Sequence, residues 1–183
     1  MVALVVDGGH DLEDAVRRAA RNQGIGLQQV RPLLATIHPA IAEYRALFRP
    51  QQVEKLRGQR ELARQAMRMF EEFRPRLVGA LVRGDGPFER VRLLLFAETP
   101  EKVAMHLADR HIPWRESEIE LHYSGGRRLA RPAFLFVAGE TTVELVILEA
   151  GSHSDPPRDP LTGGRMPMLD TAALDTLLQP GTG

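Results

Sequence analysis

The chain has 183 residues, 43% of them hydrophobic, and carries 24 Lys plus Arg against 24 Asp plus Glu. That length fits one domain, or one domain with a helical extension, and is enough to bury a real core. A formal net charge of zero gives no global field for nucleic acid, so any such contact must be local. With no cysteine there is no disulfide framework, thiolate metal site or cysteine nucleophile. Only Lys55 and Lys102 are lysines, and the arginine excess fits a GC-rich genome better than a binding role. The opening MVALVVDGGH lacks the basic flank of a signal peptide, and no apolar run approaches about 18 residues, so a cytoplasmic protein without membrane contact is expected.

In chain order, Met1 to Val6 reads as a short strand or arm. A helix follows from Asp11, its cap supported by Asp14, with Leu12, Ala15, Val16, Ala19 and Ala20 on one face and Gly24 as its stop. Pro39 suits the first turn of another helix, in which Ile41, Tyr44, Leu47 and Phe48 share a face. From Gln51 to Phe73 the apolar residues Val53, Leu56, Leu62, Ala63, Ala66, Met67, Phe70 and Phe73 recur at helical spacing. Arg57, Arg60, Arg64 and Arg68 lie on its polar face among Glu54, Glu61, Glu71 and Glu72, which reads as a solvated, salt-bridged surface.

Two apolar runs then flank a Gly-rich turn. Leu77 to Val82 reads as one strand and Val91 to Phe96 as the next. Thr99-Pro100-Glu101 opens a helix reaching about Arg110, with threonine as the cap. Glu116 to Tyr123 alternates like a half-buried strand, and Ser124-Gly125-Gly126 turns the chain. Phe134–Val137 and Thr142–Leu148 form a hairpin around Gly139-Glu140. Residues 151–167 read as loop or tail, and Asp170 to Leu178 as a capped helix docking through Leu174, Leu177 and Leu178. The chain thus divides into a helical region 1–74, an α/β core 75–150 and a loop-rich tail 151–183.

Between the two central strands, Gly79-Ala80 is followed by Arg83-Gly84-Asp85-Gly86 and then by Glu89-Arg90-Val91-Arg92-Leu93. This arrangement resembles the nucleotidyltransferase superfamily, the fold of DNA polymerase beta. In that family Gly-Ser follows a strand, a segment often reading Arg-Gly-Asp-Ala comes next, and Ser-Asp-hydrophobic-Asp stands on the following strand. The resemblance implies an α+β fold, a nucleotidyltransferase-like mixed sheet with flanking helices and a helical N-terminal extension. It also implies nucleotide contacts from Gly79, Arg83, Gly84, Asp85, Arg90 and Arg92. The family's paired carboxylates, joined by a third from a neighbouring strand, hold two magnesium ions about 3.5–4 Å apart. Here the paired positions are Arg90 and Arg92, and the third corresponds to Glu144.

Guanidinium groups offer no lone pair to magnesium, so metal-dependent transfer is expected to be lost and no cofactor is expected. Arg90 and Arg92 either replace the metal as a clamp for a nucleotide or RNA phosphate, or pair with Glu144, Glu118 or Glu120 on a polar sheet face. Gly84 and Gly86 either cradle phosphate or serve as turn glycines. Three functions stay open: a phosphate-binding or regulatory module without catalysis, a magnesium-dependent transferase with displaced ligands, and an interaction module that binds a protein or a second copy through its N-terminal helices. The six histidines show no metal-ligand spacing. Trp114 and Tyr123 are read as core rather than as base-stacking platforms.

Overall fold

A computed structural model of the chain describes residues 50–86 and 88–179, with scattered positions between 16 and 49. The expected strand 1–6, the Asp11 cap, Leu12, Asp14, Ala15, Ala19, Phe48, His10 and His38 lie outside the described residues. The described elements are α1 (Pro50–Met69), β1 (Arg76–Val78), α2 (Ala80–Arg83), β2 (Arg90–Ala97), α3 (Pro100–Asp109), β3 (Arg115–His122), β4 (Arg128–Ala138), β5 (Thr141–Glu149), β6 (Met168–Leu169) and α4 (Thr171–Leu178). They form a mixed α+β structure on one six-stranded sheet of order β3-β4-β5-β2-β1-β6. Only β2 and β5 pair in parallel; the other neighbours are antiparallel.

The parallel pair forms the middle of the sheet, where both faces are covered, which is why Leu93–Phe96 and Val143–Leu148 are almost uninterrupted apolar runs. Val91, Leu93 and Leu95 of β2 and Val143, Leu145 and Ile147 of β5 join the core shared with Ala63, Met67 and Phe70 of α1, Val103 and Leu107 of α3, and Leu174 and Leu178 of α4. Leu94, Val146 and Leu148 face the other way, into a cluster with Val78, Leu121, Tyr123 and Leu135. Helix α1 therefore belongs to the same core as the sheet. Among the described residues, no helix is long and apolar enough to cross a membrane.

Several elements differ from the sequence reading. The strand expected across Leu77–Val82 ends at Val78, and Ala80–Arg83 is a helical turn. Gly79 breaks it with φ 85° and ψ −150°, a conformation closed to L side chains without strain. Thr99 holds the N-cap position of α3, yet its side-chain hydroxyl caps no helix N–H. The Glu101 backbone N–H, followed by that hydroxyl, holds the Glu101 carboxyl below the usual carboxylate range. Because the folded pKa is the lower one, this contribution is present above the unfolded pKa and is lost as pH falls through the folded value. Leu177, expected to dock, is exposed, as are Leu47 and Val53.

Three of the four arginines of the α1 stripe make structural contacts, while Arg57 is exposed. Arg60 Nε donates to Leu81 O at 2.8 Å, tying α1 to α2, and burial lowers its guanidinium pKa from the ordinary value. Arg64 and Arg68 reach Asp175 of α4 at 3.6 and 3.3 Å. His106 is buried against the rings of Phe70 and Phe73, with Nε2 2.8 Å from Met69 O and Nδ1 on Glu72. Trp114 packs edge-on against Phe134 and Tyr123 is buried, so both aromatics are core residues.

Helix α4 is capped by Asp170, whose carboxylate accepts from Ala173 N at 2.9 Å. Asp170→Ala is expected to cost about 1 kcal/mol, read as a lower urea midpoint with an unchanged slope. A drop no larger than that of an exposed substitution would show that the cap contributes nothing.

Segment 151–167 is closely held. Asp159 is buried, its Oδ1 accepting from Leu161 N at 2.8 Å and Thr162 N at 3.1 Å. Leu161 packs against Val16, Ala20, Val30 and Ile41. Arg158 N donates to His122 O at 2.7 Å, stitching the segment to the end of β3.

Candidate functional site

Arg90 and Arg92 are two residues apart on β2, so their side chains leave the same face of the sheet. The parallel register places Arg92 opposite Glu144 of β5. Arg92 Nε is 2.6 Å from Glu144 Oε2, and Arg90 Nη1 is 3.0 Å from Oε1. Glu144 is 2% exposed, so both carboxylate oxygens are engaged where water scarcely reaches. Neither arginine pairs with Glu118, and Glu120 instead meets Arg128 at 3.4 Å and His122 at 3.9 Å.

This donor set does not fit a two-magnesium centre. Two of the three positions present guanidinium groups, and Glu144 would have to release both to accept a metal.

A second buried network lies at the end of α2. Arg83 Nε donates to Asp85 Oδ2 at 2.7 Å and Nη1 to Asp159 Oδ2 at 3.3 Å. The two aspartates are 1% and 3% exposed. Carboxylates behind guanidinium groups fix their direction, and the bonds to charged partners are among the stronger ones in a protein.

Arg83 and Arg92 line one cavity of about 280 Å³, together with Gly79, Glu120, His122 and Arg158. Its wall thus holds three arginines and a histidine against one glutamate, while Asp85, Asp159 and Glu144 stand behind Arg83 and Arg92. Arg158 Nε is buried and meets no hydrogen-bond partner among the described residues.

The expected site residues therefore separate. Gly79, Arg83 and Arg92 line the cavity. Asp85 acts through Arg83, and Arg90 through Glu144. Gly84 faces α1, with Leu56 and Arg60 the nearest side chains, and its amide donates to Ala80 O at 2.6 Å as a helix end. His122, Arg158 and Asp159 were not singled out as site residues by the sequence. The segment that carries two of them reads as loop from its Pro, Gly, Ser and Asp content, which gives no signal for a site. Comparison with protein-family models, curated proteins and solved structures finds no match to this chain.

Proposed function

We propose that the chain is a nucleotidyltransferase-like protein without metal-dependent transfer, serving as a binding or regulatory module for a phosphate-bearing ligand such as a nucleotide or an RNA phosphate. The observation that carries this reading is a single cavity whose wall gathers Arg83, Arg92 and Arg158. Phosphate supplies acceptor oxygens in the geometry that guanidinium groups match bidentately. The carboxylates behind Arg83 and Arg92 hold those groups in place before a ligand arrives, which lowers the ordering cost of binding. They also offset much of the positive charge, so affinity is expected from directed hydrogen bonds more than from a long-range field.

Thermal unfolding with inorganic phosphate or AMP tests this. At a ligand concentration about a hundredfold above the dissociation constant, stabilisation is about 2.7 kcal/mol, a shift of several degrees. The shift is expected with or without magnesium, and is expected to vanish in Arg158→Ala but not in the exposed control Arg115→Ala. No shift with either ligand, or a shift that requires magnesium, would contradict the proposal.

A further inference from the structure

We infer that the ligand is a phosphate ester of a polyhydroxy compound, its phosphate at Arg92 and Arg158 and its hydroxyl-bearing body in an adjoining cavity. This deepens the anion-binding reading and rests on it. A second cavity of about 340 Å³ shares His122, Arg158 and Pro160 with the first and extends beneath the turn Ser124–Gly126 and Gly163. The second cavity is itself in the range of an ordinary small-molecule site, and the first falls just below it.

The linings differ in chemistry. The second cavity has no arginine or lysine beyond the shared Arg158, and Asp159, also among its lining residues, is buried with its carboxylate engaged by Arg83 and the Leu161 and Thr162 amides. A second phosphate placed there would find no guanidinium of its own, which argues against a polyphosphate lying along the cleft. Aromatic stacking is also poorly served. Tyr123 is 5% exposed, and its hydroxyl accepts from Arg131 Nε at 3.2 Å. The wall instead offers backbone without side chains at Gly125, Gly126 and Gly163, together with Ser124. Uncharged hydroxyl groups, which both donate and accept, suit that wall; a sugar phosphate has one anionic end and such a body.

Calorimetric titration of the full chain in magnesium-free buffer, with inorganic phosphate, ribose 5-phosphate and AMP, tests the assignment. Ribose 5-phosphate is expected to bind at least tenfold more tightly than phosphate. Ser124→Tyr, which fills the second cavity, is expected to remove that advantage while leaving phosphate affinity within about twofold. Ser124→Ala loses the same 2.9 Å bond to Asp155 without filling the cavity, and is expected to keep the advantage. AMP binding no tighter than ribose 5-phosphate marks a free sugar phosphate as the source; tighter binding marks a nucleotide held by its ribose phosphate. Equal affinity for phosphate and ribose 5-phosphate would overturn the inference and leave the anion reading standing. Failure of both to bind would overturn the two together.

Discussion

Replacing both Arg90 and Arg92 with methionine is expected to destabilise the fold by about 3–5 kcal/mol, because it strands Glu144 as a buried carboxylate without a counter-charge. The arginines themselves are less at stake, since their side chains are 57% and 34% exposed while that of Glu144 is 3% exposed. The asymmetry gives a second outcome. Adding Glu144→Gln to the double substitution removes the buried charge, and most of the lost stability is expected to return. Urea unfolding of the wild type, the double variant and the triple variant checks both. Equal stabilities for the double and triple variants would show that the carboxylate carries no penalty, and that the ion pairs are surface contacts worth little.

Phe70→Ala is expected to cost a similar 3–5 kcal/mol, lowering the melting temperature by on the order of 10 °C. Phe70 is fully buried at the end of α1, its ring 5.1 Å from that of His106 on α3 and 6.3 Å from that of Phe136 on β4. Truncation opens a void where three elements meet and removes the apolar cover from His106, whose ring holds α3 to the Met69 carbonyl. Val137, 69% exposed on the same strand as Phe136, supplies the control. Its replacement by alanine is expected to fall within about 0.5 kcal/mol, measured in the same thermal scans.

Strands were legible where their burial shows as a pattern: period-two alternation announced the half-buried β3. Continuous apolar runs announced β2 and β5, and the glycine between two such runs announced the β4–β5 hairpin. Helix α2 was not legible: Ala80, Leu81 and Val82 suit a strand, four residues are too few to show a helical period, and the deciding feature is the backbone conformation at Gly79. The fit of β2 beside β5 made a contact between Arg92 and Glu144 readable, because spacing by two on one strand and a carboxylate on another are sequence features. Composition did identify residues 151–167 as loop. It gave no sign that Asp159 and Leu161 would be buried, or that Arg158 would join β3, because those contacts link positions far apart in the chain.

The arginine stripe of α1 shows the same limit from the other side. Charge alternation indicated ion pairs within the helix, and Arg64 does meet Glu61 at 2.5 Å. Asp175 lies more than a hundred residues away, and Arg60 spends its guanidinium on the carbonyls of α2. The salt-bridged face thus also forms a seam between α1, α2 and α4 at Arg60, Arg64 and Arg68, while Arg57 stays exposed.

Calorimetric titration of inorganic phosphate into the wild type and Arg158→Gln, in magnesium-free buffer, tests the central claim most directly. One phosphate is expected to bind each wild-type chain, and the substitution is expected to weaken binding at least tenfold, about 1.4 kcal/mol. Arg158 makes no ion pair with a described residue and its backbone bond to His122 is unaffected by the change, so fold and binding are separable. Equal affinity in the two proteins, or binding that appears only when magnesium is added, would contradict a metal-free phosphate site at Arg158.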